Sequence, residues 1–285
     1  MASLKIIRRR IASVRNTQQV TKAMKMVAAA KLRRAQERAE HARAYSEKLA
    51  SILRGLGSAE AAATHPFLKP GSDAPAHAVL ISADRGLCGG YNSNISRLAE
   101  RFLASEDGAS ATITACGRRG RDYLASRRAN VVQEHVNLKG EFGVDLARTI
   151  ATDVSRRFTS GEAGKIFLIY TRFRSAISHA PSVQQLLPVA SRGEDARSDV
   201  EYVYEPDAAT ILASLLPRYV ETLVFHAMLE ATASEHGARM TAMDSASRNA
   251  ADMIERLTLM MNRARQASIT TELMEIVGGA EALKG

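Results

Sequence analysis

Leu4–Leu56 reads LKIIRRRIASVRNTQQVTKAMKMVAAAKLRRAQERAEHARAYSEKLASILRGL, with no proline and no glycine before Gly55. Alanine, arginine, lysine, methionine and glutamine dominate it, all residues that lose little freedom in a helix. Apolar side chains recur at Ile7, Ile11 and Val14, then at Val20, Met24 and Val27, in steps of four and three. That spacing lays one stripe along a helix for packing against another helix. At ~1.5 Å rise per residue the segment is expected to form a rod roughly 75 Å long. A helix of that length is expected to project and to need a partner along it.

The partner is expected at the other end of the chain. From Asp207 to about Ala282 the residues again read as helix, opened by Glu205-Pro206-Asp207, with an acid placed for the first turn. Pro217 is expected to kink or restart this helix, because it lacks an N–H and its ring clashes with the preceding turn. Beyond it Leu223, Ala227, Glu230 and Ser234 follow a seam loosely, and Ile254, Leu257, Met261 and Ala264 follow it tightly. Gly278-Gly279 is expected to fray the end. The seam is rich in small and flexible residues: Ala28, Ala29, Ala30, Met24, Met26, Met240, Met243, Met260 and Met261. Such residues pack adaptably and specify a fixed core weakly, which suits either a plain two-helix core or a shaft that turns against surfaces it does not grip.

Between the helices, apolar strand-like runs alternate with helical ones. Strands are expected at residues 78–82, 111–116, 131–135, 165–171, 182–189 and 200–204, and helices at 95–105, 120–128 and 144–159. Strands separated by helices of this length predict an α/β domain with a largely parallel sheet. The expected fold is a long antiparallel coiled coil of N- and C-terminal helices carrying a central Rossmann-like α/β domain. Its parts are a first helix over 1–58, a linker over 59–76 with three prolines, the α/β domain over 77–204 and the last helix over 205–285.

Charge narrows the partners. The net charge is +9, and the first acidic residue is Glu37, preceded by ten lysines and arginines from Lys5 to Arg34. So one-signed a helix repels itself, and an anionic partner relieves that cost. Nucleic acid, an anionic membrane surface and an acidic protein all have that chemistry. No nucleic-acid motif accompanies the basic residues, and aromatics make up only 5% of the chain, so stacking platforms for single strands are missing. No apolar run approaches the roughly 20 residues that span a bilayer, and no apolar segment follows the N-terminal arginines as in a secretory signal. The uninterrupted helical pattern from Leu4 reads as mature protein and not as a transit peptide. Cys88 and Cys116 do not make a disulfide framework or a zinc site.

The candidate chemistry sits in Ser82–Asn92, SADRGLCGGYN, between an apolar run and a helical one. Strand, glycine turn and helix can cradle a phosphate on free N–H groups. The glycines at 86, 89 and 90 do not have dinucleotide spacing, no acid ends the next strand, and no Gly-Lys-Ser or Gly-Lys-Thr follows. A tight turn with a residue at positive φ is the expected reading. Cys88 at a helix N-terminus would have an activated thiol, but no histidine motif supplies a base. Arg118, Arg119 and Arg121 form a second basic cluster, read as a solvated turn. Near the C-terminus Arg263, Arg265, Gln266, Thr270 and Thr271 place polar groups around several faces of one helix, suiting a tip that meets several surfaces lightly.

Four stretches in order resemble one family: Ile11–Lys31, SADRGLCGGYN, Ala233–Asp244 (ASEHGARMTAMD) and Asn262–Gly279. Through them the chain is similar, over nearly its whole length, to the gamma subunits of F-type ATP synthase, the central rotor stalk. The resemblance implies that the terminal helices run up the centre of a hexamer of alpha and beta subunits. It places the middle domain at the foot, beside the epsilon subunit and the membrane ring of c subunits. It implies a non-catalytic subunit with no cofactor, held to a bacterial inner membrane on the cytoplasmic side only through the complex, and no nucleic-acid partner. By motif, Met24, Lys25, Cys88, Arg239, Arg265, Gln266 and Thr270 are implied to contact alpha and beta, with Cys88, Asp84 and Arg85 aimed at a beta lever. Tyr202, Tyr204 and Glu205 are implied to face epsilon and the c ring. A free-standing nucleotide-dependent enzyme and a basic coiled-coil nucleic-acid binder are the rival readings.

Overall fold

A computed structural model describes residues 4–56, 65–138, 142–189 and 208–282. Helix α1 covers Leu4–Leu56 and helix α5 covers Ala208–Ala282. Between them lie β1 (His77–Ile81), α2 (Tyr91–Leu103), β2 (Thr112–Cys116), α3 (Arg118–Ser126), β3 (Val131–His135), α4 (Val144–Thr159), β4 (Ile166–Phe173) and β5 (His179–Leu187). The expected helix at 144–159 and strand at 131–135 have the observed bounds, and the other described elements shift by one to four residues. The expected strand at 200–204 and the helix start at 205–207 lie outside the described residues. The chain forms two compact units, residues 1–27 with 240–285, and residues 28–239.

The larger unit is an α/β sandwich. Its sheet has the order β3-β2-β1-β4-β5, parallel throughout except for the antiparallel pair β4–β5. All five residues of β1 are buried, as befits a central parallel strand covered on both faces. The strand's alternation sorts the layers. Ala78 and Leu80 pack with Ile113, Phe167 and Ile169 against Ile95, Ala99 and Phe102 of α2 and Leu124 of α3. On the opposite face Val79 and Ile81 pack with Leu168 and Tyr170 against α4 and against Leu216, Val220, Val224 and Ala227 of α5.

Helix α5 runs unbroken through Pro217, so the expected restart does not occur. Pro217 and Ala213, whose carbonyl the proline leaves without its usual donor, are both on the solvent side, where water can satisfy that carbonyl. The helix also continues through Gly278-Gly279 to Ala282.

In the smaller unit the start of α1 and the end of α5 pair antiparallel, tied by Lys25 Nζ to Asp244 Oδ1 at 2.5 Å. Asp244 also accepts from Arg248, one turn along. Within residues 4–27 the buried or half-buried positions of α1 are 4, 7, 11, 14, 18, 21, 24 and 25, a three-four repeat. Ile7, Ile11 and Val14 therefore belong to the seam as expected. The expected continuation does not hold, because Val20 and Val27 are each 58% exposed while Gln18 and Thr21 take the seam positions. Moving from Val14 to Val20 takes six residues and leaves the stripe, whereas seven would keep it. On α5, Met243, Ala250, Ile254, Leu257, Met261 and Ala264 lie on the inner face. Met26 and Met260 do not, being more than half exposed.

Candidate functional site

In an open α/β sheet the ligand crevice lies outside the carboxyl ends of the strands, where neighbouring crossovers depart in opposite directions. Here that point falls between β1 and β4, beneath the glycine loop 82–90 and the β4–β5 connection. The crevice is filled by α5. Every residue from Ala227 to Ala238 is buried, so the helix is enclosed on all sides and not merely along one stripe. The loose seam expected for Leu223–Ser234 missed this, because an all-round buried helix has no amphipathic period to read.

Polar groups fix the helix there. Tyr91 Oη donates to Ala231 O at 3.2 Å, and Ser234 Oγ donates to Thr171 O at the end of β4 at 3.1 Å. Gly237 passes the β4–β5 connection closely enough that a Cβ would come within 3.0 Å of Ala176 O. Ala238 packs with Ala83, Cys88 and Tyr91. Arg239 donates to Gly86 O at 3.3 Å and pairs with Glu235 at 2.7 Å, both side chains being largely buried. Burial pushes the Glu235 carboxyl and the Tyr91 phenol up, with Arg239 drawing both the other way.

The glycine loop is built to hold this arrangement. Its positive-φ residues are Leu87 (φ 61°) and Gly89 (φ 56°), so the expected positive-φ turn is present but half of it falls on a leucine. Asn92 Oδ1 accepts from Ala83 N at 3.1 Å. Asp84 accepts from Arg118 N at 2.9 Å, at the start of α3, and from Leu138 N at 2.6 Å. Its carboxylate thus caps a helix and does not face outward. Cys88 is also inward, 2% exposed, with Asn92 Nδ2 3.2 Å from its Sγ. Burial raises its thiol pKa, with Arg239 opposing, against the lowering that a helix N-terminus alone would give. The outward side chains of the loop are Arg85 and Leu87, the latter 65% exposed. Neither the glycine spacing nor propensity marks Leu87, and only its flanking glycines hint at a turn tip.

The Arg118–Arg121 cluster is largely engaged. Arg121 pairs with Asp122 and Glu134, each at 2.7 Å, and Arg118 bonds Asn137. Gly117 is required at φ +98°, where a Cβ would lie 2.1 Å from Ser82 O.

Among the other motif residues, Met24 is half-buried beside the Lys25–Asp244 pair. Arg265, Gln266 and Thr270 are all exposed, with Thr270 Oγ1 donating to Gln266 O at 3.0 Å. Tyr202, Tyr204 and Glu205 lie outside the described residues. Antiparallel pairing through Lys25 and Asp244 sets Leu4 opposite about residue 265, and residues 269–280 are exposed on every face. That tip is less polar than expected, since Ile269, Leu273, Met274, Ile276 and Val277 are each about half exposed or more. No helix among the described residues is long and apolar enough to cross a membrane, and no cluster of metal-ligating side chains occurs among them.

Comparison with known proteins agrees with this geometry. A family model described as ATP synthase matches residues 3–283. The chain is 46% identical over 288 residues to an ATP synthase gamma chain from Geobacter sp. strain M21, covering all of both chains. It is 48% identical over 285 residues to one from Symbiobacterium thermophilum, covering 99% of this chain and 98% of that one. Among solved structures it resembles a chain of the Tetrahymena thermophila mitochondrial ATP synthase central stalk and c ring, with a TM-score of 0.62 at 28% identity. That match covers 80% of this chain and 99% of the other. A chain from the Euglena gracilis mitochondrial ATP synthase shares the fold over 99% of this chain and 94% of its own, with a TM-score of 0.70 at 18% identity.

Proposed function

Because the chain belongs to the ATP synthase gamma-chain family, as a non-catalytic rotor subunit of the central stalk, we propose how its residues divide that work. The observation that carries the reading is the enclosure of Ala227–Ala238 in the sheet's ligand crevice. A rotor must pass torque between the body that is turned and the shaft that turns. A helix buried on all faces, bonded to the end of β4 and the start of α2 and clamped by the glycine loop, resists slippage about its own axis. The helix stands where a nucleotide would in a related enzyme fold, which argues against the enzyme reading for this domain.

The partners are the alpha and beta subunits around the helices, and the epsilon subunit and c ring at the foot. Turning of the ring by ion flow carries the stalk with it, and the asymmetric stalk drives the beta subunits in succession through states that bind and release nucleotide. Stalk orientation shifts those states only through contacts that differ among them. The exposed Arg265, Gln266 and Thr270 supply such contacts at the tip, and Arg85 and Leu87 supply them from the loop that Cys88 and Arg239 support. Met24 and Lys25 lie where α1 passes the beta levers, and the six cations from Lys5 to Lys22, none of them ion-paired among the described residues, suit acidic lever surfaces. Tyr202, Tyr204 and Glu205 are assigned to the foot. The shaft carries the two helices and the foot the α/β domain, on the cytoplasmic side of a bacterial inner membrane and attached through the complex alone.

The test is assembly and coupling. The chain should co-purify with alpha, beta, epsilon and c subunits from gently solubilised membranes. In membrane vesicles, Met24→Lys should lower ATP-driven ion pumping several-fold more than it lowers hydrolysis. Equal loss of both activities would remove Met24 from the coupling surface.

A further inference from the structure

The larger unit contains a small cleft that the rotor reading does not use. One wall is α1, with Lys31, Arg34 and Arg38 around Ala35, and the other is α5, with Leu229, Thr232 and His236, while Phe142 completes the lining. The cations follow one another at intervals of three and four, so they share a face of α1. None of the three has an acidic partner within ion-pair distance among the described residues, although Arg33 on the neighbouring face pairs with Glu37 and Arg43 with Glu230. The one carboxylate felt there, Glu235 near Lys31, is already paired with Arg239 at 2.7 Å, so the three cations facing one concavity are mutually unfavourable until an anion arrives.

The opposite wall offers a neutral donor. Arg239 Nη1 lies 3.3 Å from His236 Nδ1, and a guanidinium can only donate, so Nδ1 accepts and the ring proton resides on Nε2. Burial, then Arg239 and Lys31, hold the ring neutral down to about pH 4. Thr232 Oγ1 is already committed as a donor to Met228 O at 2.8 Å, leaving the imidazole N–H as the donor from α5. The space is about 30 Å³, room for about two waters at ~10–15 Å³ each, which favours a small oxyanion over anything as large as a nucleobase. A single carboxylate would leave most of the positive charge uncompensated, whereas a divalent oxyanion meets it.

We propose that this cleft, formed by Lys31, Arg34, Arg38 and His236, is a binding site for inorganic phosphate. The assignment is independent of which protein surfaces the rotor meets, because it rests only on residues within one compact unit.

Phosphate titrated into the full-length chain at constant ionic strength, followed by calorimetry and by 31P line width, should bind saturably. Arg34→Gln/Arg38→Gln should weaken that binding at least tenfold. The charge-matched control Arg33→Gln/Arg101→Gln, on surfaces away from the cleft, should change it less than twofold. Both cleft arginines are exposed, so the variant should melt with the parent; if it does not, Arg38→Gln alone serves, with at least a threefold loss expected. Unsaturable binding, or equal losses in cleft variant and control, overturns the site. So does binding of a Glu-rich peptide in the absence of phosphate binding, which would make the cleft a carboxylate surface.

Discussion

At the scale of single residues, burial and hydrogen bonding reassign side chains that proximity in sequence groups together. Asp84, Arg85, Leu87 and Cys88 lie within five positions, yet Asp84 caps α3, Cys88 packs under α5, and only Arg85 and Leu87 reach solvent. A leucine at positive φ is a local cost that its surroundings must over-determine, and here Asn92 and Arg239 bond the loop on either side of it. His77 gives a titration test at this scale. It is fully buried, its ring nitrogens lie 2.7 and 3.0 Å from Thr112 and Thr114 hydroxyls, and burial followed by Arg157 lowers its pKa to about 4. A histidine depressed in the folded state contributes stability that is complete above the free value of ~6.5 and is lost as pH falls through the folded value. Denaturant unfolding at pH 7 and pH 4.5 should therefore show His77→Gln losing about 2–3 kcal/mol less than the parent on acidification. An identical acid response in the two chains would show that the ring protonates in place.

At the scale of elements, periodicity located every described α-helix and strand but not the short 3-10 turn at Pro66–Leu68 in the expected linker, nor the continuous register of the coiled coil. The stretch from Ile7 to Val14 was legible because its apolar residues coincide with the buried positions. From Gln18 onward the seam carries Gln18 and Thr21 while Val20 and Val27 face out, so hydrophobicity alone points to the wrong face. A polar seam residue weakens packing in exchange for register or adaptability, which matches a shaft that must turn. The two faces make opposite predictions. Ile11→Ala should cost about 2–4 kcal/mol of local stability, seen as faster amide exchange across residues 4–27. Val20→Ala should change it by about 0.5 kcal/mol or less. Comparable effects at both positions would mean that the seam has been placed on the wrong stripe. Pro217 illustrates the same limit: its effect depends on whether the freed carbonyl meets water, which the residue itself does not reveal.

At the scale of the whole molecule, two stretches of α5 differ in cover, enclosed at Ala227–Ala238 and exposed at residues 269–280. Ending the chain at Ser268 should leave the melting of the isolated protein within about 1 °C of the parent, since residues 269–280 are exposed and surface changes are worth little. The same truncation should weaken coupling in the assembled complex. A markedly lower melting point would mean that the tip stabilises the chain itself, and unimpaired coupling would remove the tip's assigned contacts. Sequence by itself determined the two long helices, the alternation that makes a parallel sheet, the absence of dinucleotide spacing in SADRGLCGGYN and the motifs that carry the family. These are local patterns, set by propensity, period and the chemistry of a few adjacent residues. Only the tertiary structure decided that α5 fills the crevice at the β1–β4 switch point, that Cys88 and Asp84 turn inward, and that Lys31, Arg34 and Arg38 face His236 across a cleft. Each of these joins residues far apart in the chain, and a helix's period defines its own stripe without saying which distant surface will cover it.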